Sequence, residues 1–366
     1  MGRMPALVVA SGLVLSLAAC GGGATTAESS SAAASAPAAA TSAAAVPASS
    51  APAVSSAPAS AAALNMLFIP YNTGNPYFDR LGSGMKEEAA SRGAEYSTDG
   101  PATAGPTAQI PFIEDGLAKG VNVIGIYAND PKAMASQLSD ARSNGAAVLS
   151  LGADIDPSSR DAAILATDND QVGPLLVDLI AEQMGNKGQL AILSGTPESP
   201  DHNYWIDGIK KYLKDPKFAG IELVEVAYGN DVPEQALSQA NGLLTKYPDL
   251  KGIIGVTTVA VSQAAQAVST AGKSGQVYVT GLGLPKQMSP YVTDGTVKDF
   301  ALWDPADMGR VAACLGADIV DKSVTAAPGA TFTCGTLGER TIRPDGSVIA
   351  GDLIVFNKDN VAQYDF

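Results

Sequence analysis

The strongest constraint on this chain is an alternation. From Leu64 to Val320, short continuous apolar runs take turns with stretches of helical period. The first run is Leu64 to Ile69. Asn75-Pro76 then opens a helix, Asn suiting the N-cap and Pro the first helical position; it runs to Arg92 and stops at Gly93. A short strand near Glu95-Tyr96 precedes a helical stretch to Lys119. Val121 to Tyr127 reads as a buried strand, Pro131 to Asn144 as a helix, and Ala147 to Leu151 and Ala162 to Ala166 as strands. The pattern restarts with helices over Asp168 to Met184, Asp201 to Leu213, Pro233 to Tyr247, Val259 to Ala271 and Pro285 to Asp294. Between and after them lie strands over Gln189 to Leu193, Glu222 to Ala227, Gly252 to Val256, Gln276 to Thr280 and Val297 to Leu302. Asp304 to Val320 is helical, with Met308, Val311, Leu315 and Ile319 on one face.

Apolar strands between helices mean parallel sheets covered on both faces. About ten such units are more than one comfortable sheet, so the expected fold class is α/β with two Rossmann-like lobes in tandem.

Upstream the chain changes character. Arg3 precedes an apolar run from Ala6 to Leu17 that ends in Leu17-Ala18-Ala19-Cys20. The run is short for a bilayer span and reads as a secretory signal over residues 1–19. Its end resembles the lipobox of bacterial lipoproteins, which implies lipidation of Cys20. Residues 24–63 are almost entirely Ala, Ser, Pro and Thr, with Glu28 as the one charge. Such a segment buries too little apolar surface to offset ordering entropy and is expected to be a disordered tether. An exported location follows, on the outer face of the cytoplasmic membrane, with the lipid as the only membrane contact. The net charge of −14 argues against nucleic acid. Besides Cys20, Cys314 and Cys334 form an even pair, which in an exported protein reads as a disulfide worth about 3 kcal/mol, two buried thiols being the alternative.

Ligands of open α/β sheets bind beyond the carboxyl ends of the strands. The segments found there are rich in carboxylates, amides, hydroxyls and aromatic rings and poor in Arg and Lys. That chemistry suits a neutral polyhydroxyl molecule, since polar groups pair with hydroxyls and ring faces cover C–H surface. The candidates are Tyr71, Asn75, Phe78 and Asp154 from the first half, with Asp201, His202, Asn203 and Thr257 from the second. Trp303 and Asp304 complete the set. Each has a plainer role open to it: Asn75 and Asp201 as helix caps, Phe78 as core, Asp154 as a solvated acid, Trp303 as packing between lobes. His202 is the single His, which argues against His-based metal clusters. There is no Gly-x-Ser-x-Gly elbow and no phosphate-cradling glycine loop. No cofactor, metal or catalysis is expected.

The body from Asn65 to Phe366 resembles the type I solute-binding proteins of ABC sugar importers, in the branch that holds rhamnose-binding and autoinducer-2-binding members. The resemblance is carried by Tyr247-Pro248-Asp249-Leu250-Lys251-Gly252, by Gly281-Leu282-Gly283-Leu284-Pro285, and by Gly295 to Pro305. Leu337-Gly338-Glu339-Arg340-Thr341-Ile342 and Val355 to Phe366 complete it. It implies a two-lobed clamp with three crossings that closes on its ligand by hinge motion and presents it, as a monomer, to a membrane permease. It also implies lobes made of residues 64–167 with about 304–342, and of 168–303 with about 343–366. The autoinducer-2 pattern expects Lys where Tyr71 stands, Asp where Gly152 stands and Asp-Gln where Asp201-His202 stand. Those departures argue against autoinducer-2. Asn75-Pro76-Tyr77-Phe78 resembles instead the Asn-Pro-aromatic-Phe of ribose-type binders. The expected cargo is a 6-deoxyhexose, a pentose or a small polyol; the alternative is a protein of the same fold that binds autoinducer-2 or another signal molecule.

Overall fold

The structure, a computed structural model, describes residues 63–366. The expected signal segment, Cys20 and the tether up to residue 62 lie outside the described residues. In chain order the first elements are β1 (Asn65–Ile69), α1 (Pro76–Ser91), β2 (Glu95–Thr98), α2 (Ile110–Ala118), β3 (Val123–Ile126), α3 (Ala135–Ser143), β4 (Ala147–Leu151) and β5 (Ala162–Leu165). Then follow α4 (Asn169–Met184), β6 (Gly188–Ser194), α5 (Pro200–Tyr212), β7 (Ile221–Tyr228), α6 (Pro233–Lys246), β8 (Leu250–Gly255), α7 (Thr258–Thr270), β9 (Tyr278–Gly281), α8 (Pro285–Thr293) and β10 (Phe300–Leu302). The last are α9 (Pro305–Val320), β11 (Thr331–Cys334), β12 (Gly338–Thr341), β13 (Ser347–Ile349) and β14 (Ile354–Phe356).

Two parallel sheets organise these elements. One has the order β13-β5-β4-β3-β1-β2, the other β7-β6-β8-β9. The central strands β3 and β4 are buried along their whole length, as sheets covered on both faces require. The chain passes from β5 to α4 at residues 166–168 and returns from β10 to α9 through Trp303 and Asp304. The third crossing corrects the sequence expectation. β13 pairs in parallel with β5, Ser347 opposite Ala163, so the chain stays with the first sheet past residue 343 and leaves it only at 350–353. β14 then pairs antiparallel with β10.

α3 begins at Ala135 rather than Pro131, because the Asp130 carboxylate ties down the Lys132 and Ala133 amides in a preceding turn. α1 and α9 meet backbone to backbone. A Cβ on Gly84 would fall 2.0 Å from the Ala306 carbonyl oxygen, and one on Gly309 2.1 Å from that of Leu81. Only glycine permits this approach, which sets the position of α1 and of the residues at its start. Cys314 on α9 is disulfide-bonded to Cys334 at the end of β11, their Cα atoms 5.6 Å apart.

Candidate functional site

The carboxyl ends of both sheets face a common cleft, and a small cavity of about 30 Å³ lies in it. Asn75 caps α1 by accepting from the Tyr77 amide, with Pro76 at the first helical position. That cap places Asn75, Tyr77 and Phe78 on the cavity wall, where Tyr127, just past β3, joins them. The second lobe contributes His202 and Trp205 from α5, Asp231 from the turn after β7, and Thr257 and Thr258 at the start of α7. Val256, Leu282, Leu302 and Trp303 close the remaining side.

The aromatic residues form a box. Phe78 and Tyr127 meet edge to face with centroids 5.0 Å apart, as do Tyr77 and Phe78 at 5.2 Å, while Trp205 and Trp303 lie tilted to one another at 5.8 Å. Their polar tips are engaged. Trp303 Nε1 donates to the Tyr77 hydroxyl over 3.0 Å. The Tyr127 hydroxyl donates to Asp201, which also accepts from Ser199 Oγ and the His202 amide. Burial pushes both phenols well above their ordinary range, and the charge of Asp201 adds to it.

Opposite the box stands a polar line centred on Asp231. Its carboxylate accepts from Asn75 Nδ2 over 2.8 Å and from Thr257 Oγ1 over 2.7 Å. Asn230 and Asp231 both have positive φ, +53° and +54°, a conformation Asn and Asp tolerate better than most residues. Burial raises the Asp231 carboxyl above its ordinary value, against the lowering effect of the Thr257 hydrogen bond. His202 Nδ1 and Ser194 Oγ are buried without a protein partner. The lobes are closed on one another. Asn75–Asp231, Tyr127–Asp201 and Tyr71–Thr196 (2.6 Å, hydroxyl to hydroxyl) all cross the cleft directly.

Of the residues singled out by sequence, Asn75, Phe78, His202, Thr257 and Trp303 line the cavity. Tyr71 and Asp201 stand behind it, Tyr71 with its ring 6.2 Å from Phe78 and Asp201 holding Tyr127. The other three neither line it nor back its wall. Asp154 is bound by Arg160 through two bonds of 2.6 and 2.9 Å. Asn203 turns back to the Pro197 carbonyl. Asp304 caps α9 and pairs with Arg80. Each of these has a nearer partner than the cleft. Nor does Asp201 cap α5, since that position falls to Ser199.

The main omissions are Asp231, Trp205 and Tyr127. Asp231 directly follows Tyr228-Gly229-Asn230, a segment at the correct strand end. Trp205 is three residues past His202 on the same helix and so on the same face. Gly152 explains Tyr127: a Cβ there would sit 2.4 Å from the Tyr127 ring, and its φ is +63°. The ring occupies the space an Asp side chain at that position would need. Among the described residues one cluster of potential metal donors occurs, Glu88 with Cys314 and Cys334, and its sulfurs are the disulfide.

Comparison with known proteins places this geometry. The sequence profile of the periplasmic binding protein domain matches residues 66–323. A sugar ABC transporter protein from Actinomyces odontolyticus has a solved structure that is 39% identical, with 83% of this chain and 98% of that one covered and a TM-score of 0.68. An ABC transporter solute-binding protein from Clostridium phytofermentas, solved with bound L-rhamnose, is 31% identical over 84% of this chain and 99% of that one, with a TM-score of 0.79. The D-ribose/D-allose-binding protein of Pseudomonas aeruginosa is 25% identical over 215 residues, 57% of this chain; the match spans 65% of that protein, just under two thirds of its length.

Proposed function

This chain belongs to the periplasmic binding protein domain family, and from that premise we propose that it captures a small neutral sugar or polyol in the interlobe cavity, a 6-deoxyhexose first among them. Its relatives are sugar-binding proteins of ABC transporters, not enzymes, and their location is extracytoplasmic. The observation that carries the proposal is the pairing of an aromatic box with the Asn75–Asp231–Thr257 line across one cavity. Ring faces cover the C–H surface of a sugar, and amide, carboxylate and hydroxyl groups pair with its hydroxyls. The apolar side formed by Val256, Leu282 and Leu302 suits the methyl group of a deoxy sugar. No Lys or Arg lines the cavity, which favours a neutral ligand. The L-rhamnose bound to the Clostridium phytofermentas relative supports the same choice.

In this reading the lobes part, Asn75 and Asp231 release one another, and the sugar takes over their hydrogen bonds as the cleft recloses. The closed form, a monomer tethered through a lipid on Cys20, then delivers its cargo to an ABC permease. The departures at Tyr71 and Gly152 set autoinducer-2 apart as a ligand.

A thermal-shift screen of the full chain against L-rhamnose, L-fucose, D-ribose, D-xylose, small polyols and autoinducer-2 tests the proposal. A ligand at about 100 times its Kd stabilises the folded state by about 2.7 kcal/mol, a readable shift. L-Rhamnose or another neutral sugar or polyol is expected to give it. A response to autoinducer-2 alone, or silence throughout, would overturn the ligand class.

A further inference from the structure

The same cleft contains a second cavity, outward of the first and larger, about 260 Å³. Tyr71, Thr103 and Asn129 border it from the first lobe, and Thr196, Asn230 and Gln235 from the second. Its lining is of another kind. The inner cavity has tryptophans and an aliphatic side; the outer one has amides, hydroxyls and the Glu198 carboxylate, with Ala104 and Pro106 beside them, and again no Lys or Arg.

The two are neighbours. Tyr71 borders the outer cavity while its ring stacks toward Phe78 on the inner one, 6.2 Å between centroids. Asn230 borders the outer cavity and the next residue, Asp231, the inner one. Tyr71 and Thr196, both on the outer cavity's wall, meet hydroxyl to hydroxyl across the lobes, a contact that opens when the lobes part. Both hydroxyls donate and accept, so they can pair equally well with the oxygens of a ligand passing between them.

Asn129 is a second, independent sign of a ligand. It is 2% exposed. Its amide nitrogen donates to the Tyr71 carbonyl and its backbone N–H to Gln109, so the side chain is held in one orientation. Its Oδ1 nevertheless has no partner. A fixed, buried acceptor with nothing donating to it is costly, and this one belongs to a residue on the wall of the outer cavity. Asn72, next to Tyr71, likewise has a buried and unpartnered Oδ1.

The geometry points to a cleft with two subsites. The inner one takes the sugar ring of the proposed function, on which this inference rests. The outer one takes a second hydroxyl-bearing unit joined to that ring. The cargo is then a neutral disaccharide or a glycoside with a polar aglycone, rather than a free monosaccharide.

Isothermal titration of the full chain with L-rhamnose and D-xylose, and with rhamnobiose and xylobiose, tests this. At least one disaccharide is expected to bind at least about ten-fold tighter than its own monosaccharide. Gln235→Trp, at an exposed position in the first turn of α6, fills the outer cavity and should erase that advantage. The monosaccharide Kd reads the inner cavity, which Gln235 does not touch. Asn129→Ala should reduce the advantage too; should it fail to fold, Gln235→Trp carries the test alone. Monosaccharides that bind as tightly as their disaccharides, with no effect of Gln235→Trp on either, would overturn the second subsite and leave the proposed function standing. No binding by any of the four sugars would overturn the second subsite as argued here, and together with silence across the wider sugar and polyol panel would overturn the proposed function too.

Discussion

Asn75, the cap of the first helix, and Asp231, in a left-handed turn of the opposite lobe, are bonded directly to one another over 2.8 Å. The closed cleft therefore holds itself shut with the groups that a sugar would use. Asp231→Ala strands Asn75 Nδ2 and Thr257 Oγ1 and removes the main acceptor for ligand hydroxyls. It is expected to weaken sugar binding by on the order of 2 kcal/mol, about thirty-fold, with the melting profile still cooperative. Tyr71→Phe removes only the bond to Thr196. It should shift the ligand-free protein toward open lobes, read as a larger radius of gyration in solution scattering. An unchanged Kd for Asp231→Ala would take that carboxylate out of the site.

Asp231 also predicts a pH dependence. Burial lifts its carboxyl above the ordinary value of 3.8, while hydrogen bonds from Thr257 and Asn75 pull it down. A carboxyl raised in the folded state binds more protons there than in the unfolded chain. Its contribution to stability is therefore present below the ordinary value and declines as pH rises above it through the folded-state pKa. Asp231→Asn removes this titration. Urea unfolding of both proteins from about pH 3 to about pH 8 isolates it as a difference. The stability of wild type relative to Asp231→Asn should fall with rising pH from about 4 upward. A flat or rising difference would contradict the shift.

Much of this was legible beforehand because strands buried on both faces leave an unbroken apolar signature. Val123 to Ile126 and Ala147 to Leu151 are such runs, and the helices before them stop just ahead of Gly120 and Gly145. Asn75 could be found because one residue performs two tasks, capping a helix and facing the cleft. Past Val320 the signature fails: β11 to β14 have three or four residues each, and β13 and β14 pair with β5 and β10, far away in sequence. The site was legible where a side chain's partners are themselves at the cleft, as for Asn75, Thr257 and Trp303. Asp154 follows its strand as a ligand residue should, yet Arg160 six positions on takes its carboxylate. Nothing local to Tyr127 announces that the missing side chain of Gly152 makes room for its ring.

The α1–α9 contact should be intolerant of a single methyl group. Gly84→Ala places a carbon where the Ala306 carbonyl oxygen leaves 2.0 Å, so the helices must move apart. A loss of about 1–3 kcal/mol is expected. Because α1 carries Asn75 and Phe78 into the cleft, sugar affinity should fall as well. Gly242→Ala is the contrast: it lies in the exposed face of α6 with nothing within 4 Å of the added carbon, and should stabilise by about 0.5–1 kcal/mol. Equal melting temperatures for the two variants would show that the close approach is not limiting.

Trp303 and Asp304 are adjacent at the second crossing and should respond in opposite ways. Trp303 lines the cavity, lies near Trp205 and donates to Tyr77. Trp303→Leu keeps an apolar side chain but loses the ring face and the donor. Its sugar affinity should drop by about ten-fold or more, equivalent to about 1.4 kcal/mol. Asp304 points away from the cavity. It accepts from the Ala306 amide at the start of α9 and binds Arg80 through two bonds of 2.9 and 2.7 Å. Asp304→Ala should cost about 1 kcal/mol of stability, chiefly through the lost cap, since a partly exposed ion pair adds little. Its Kd for the same sugar should stay close to that of the parent protein. Calorimetry and thermal melting on both variants separate the two roles. A weakened Kd for Asp304→Ala at unchanged stability would return Asp304 to the ligand site and mean that the cleft, once open, recloses in a different register from the one seen here.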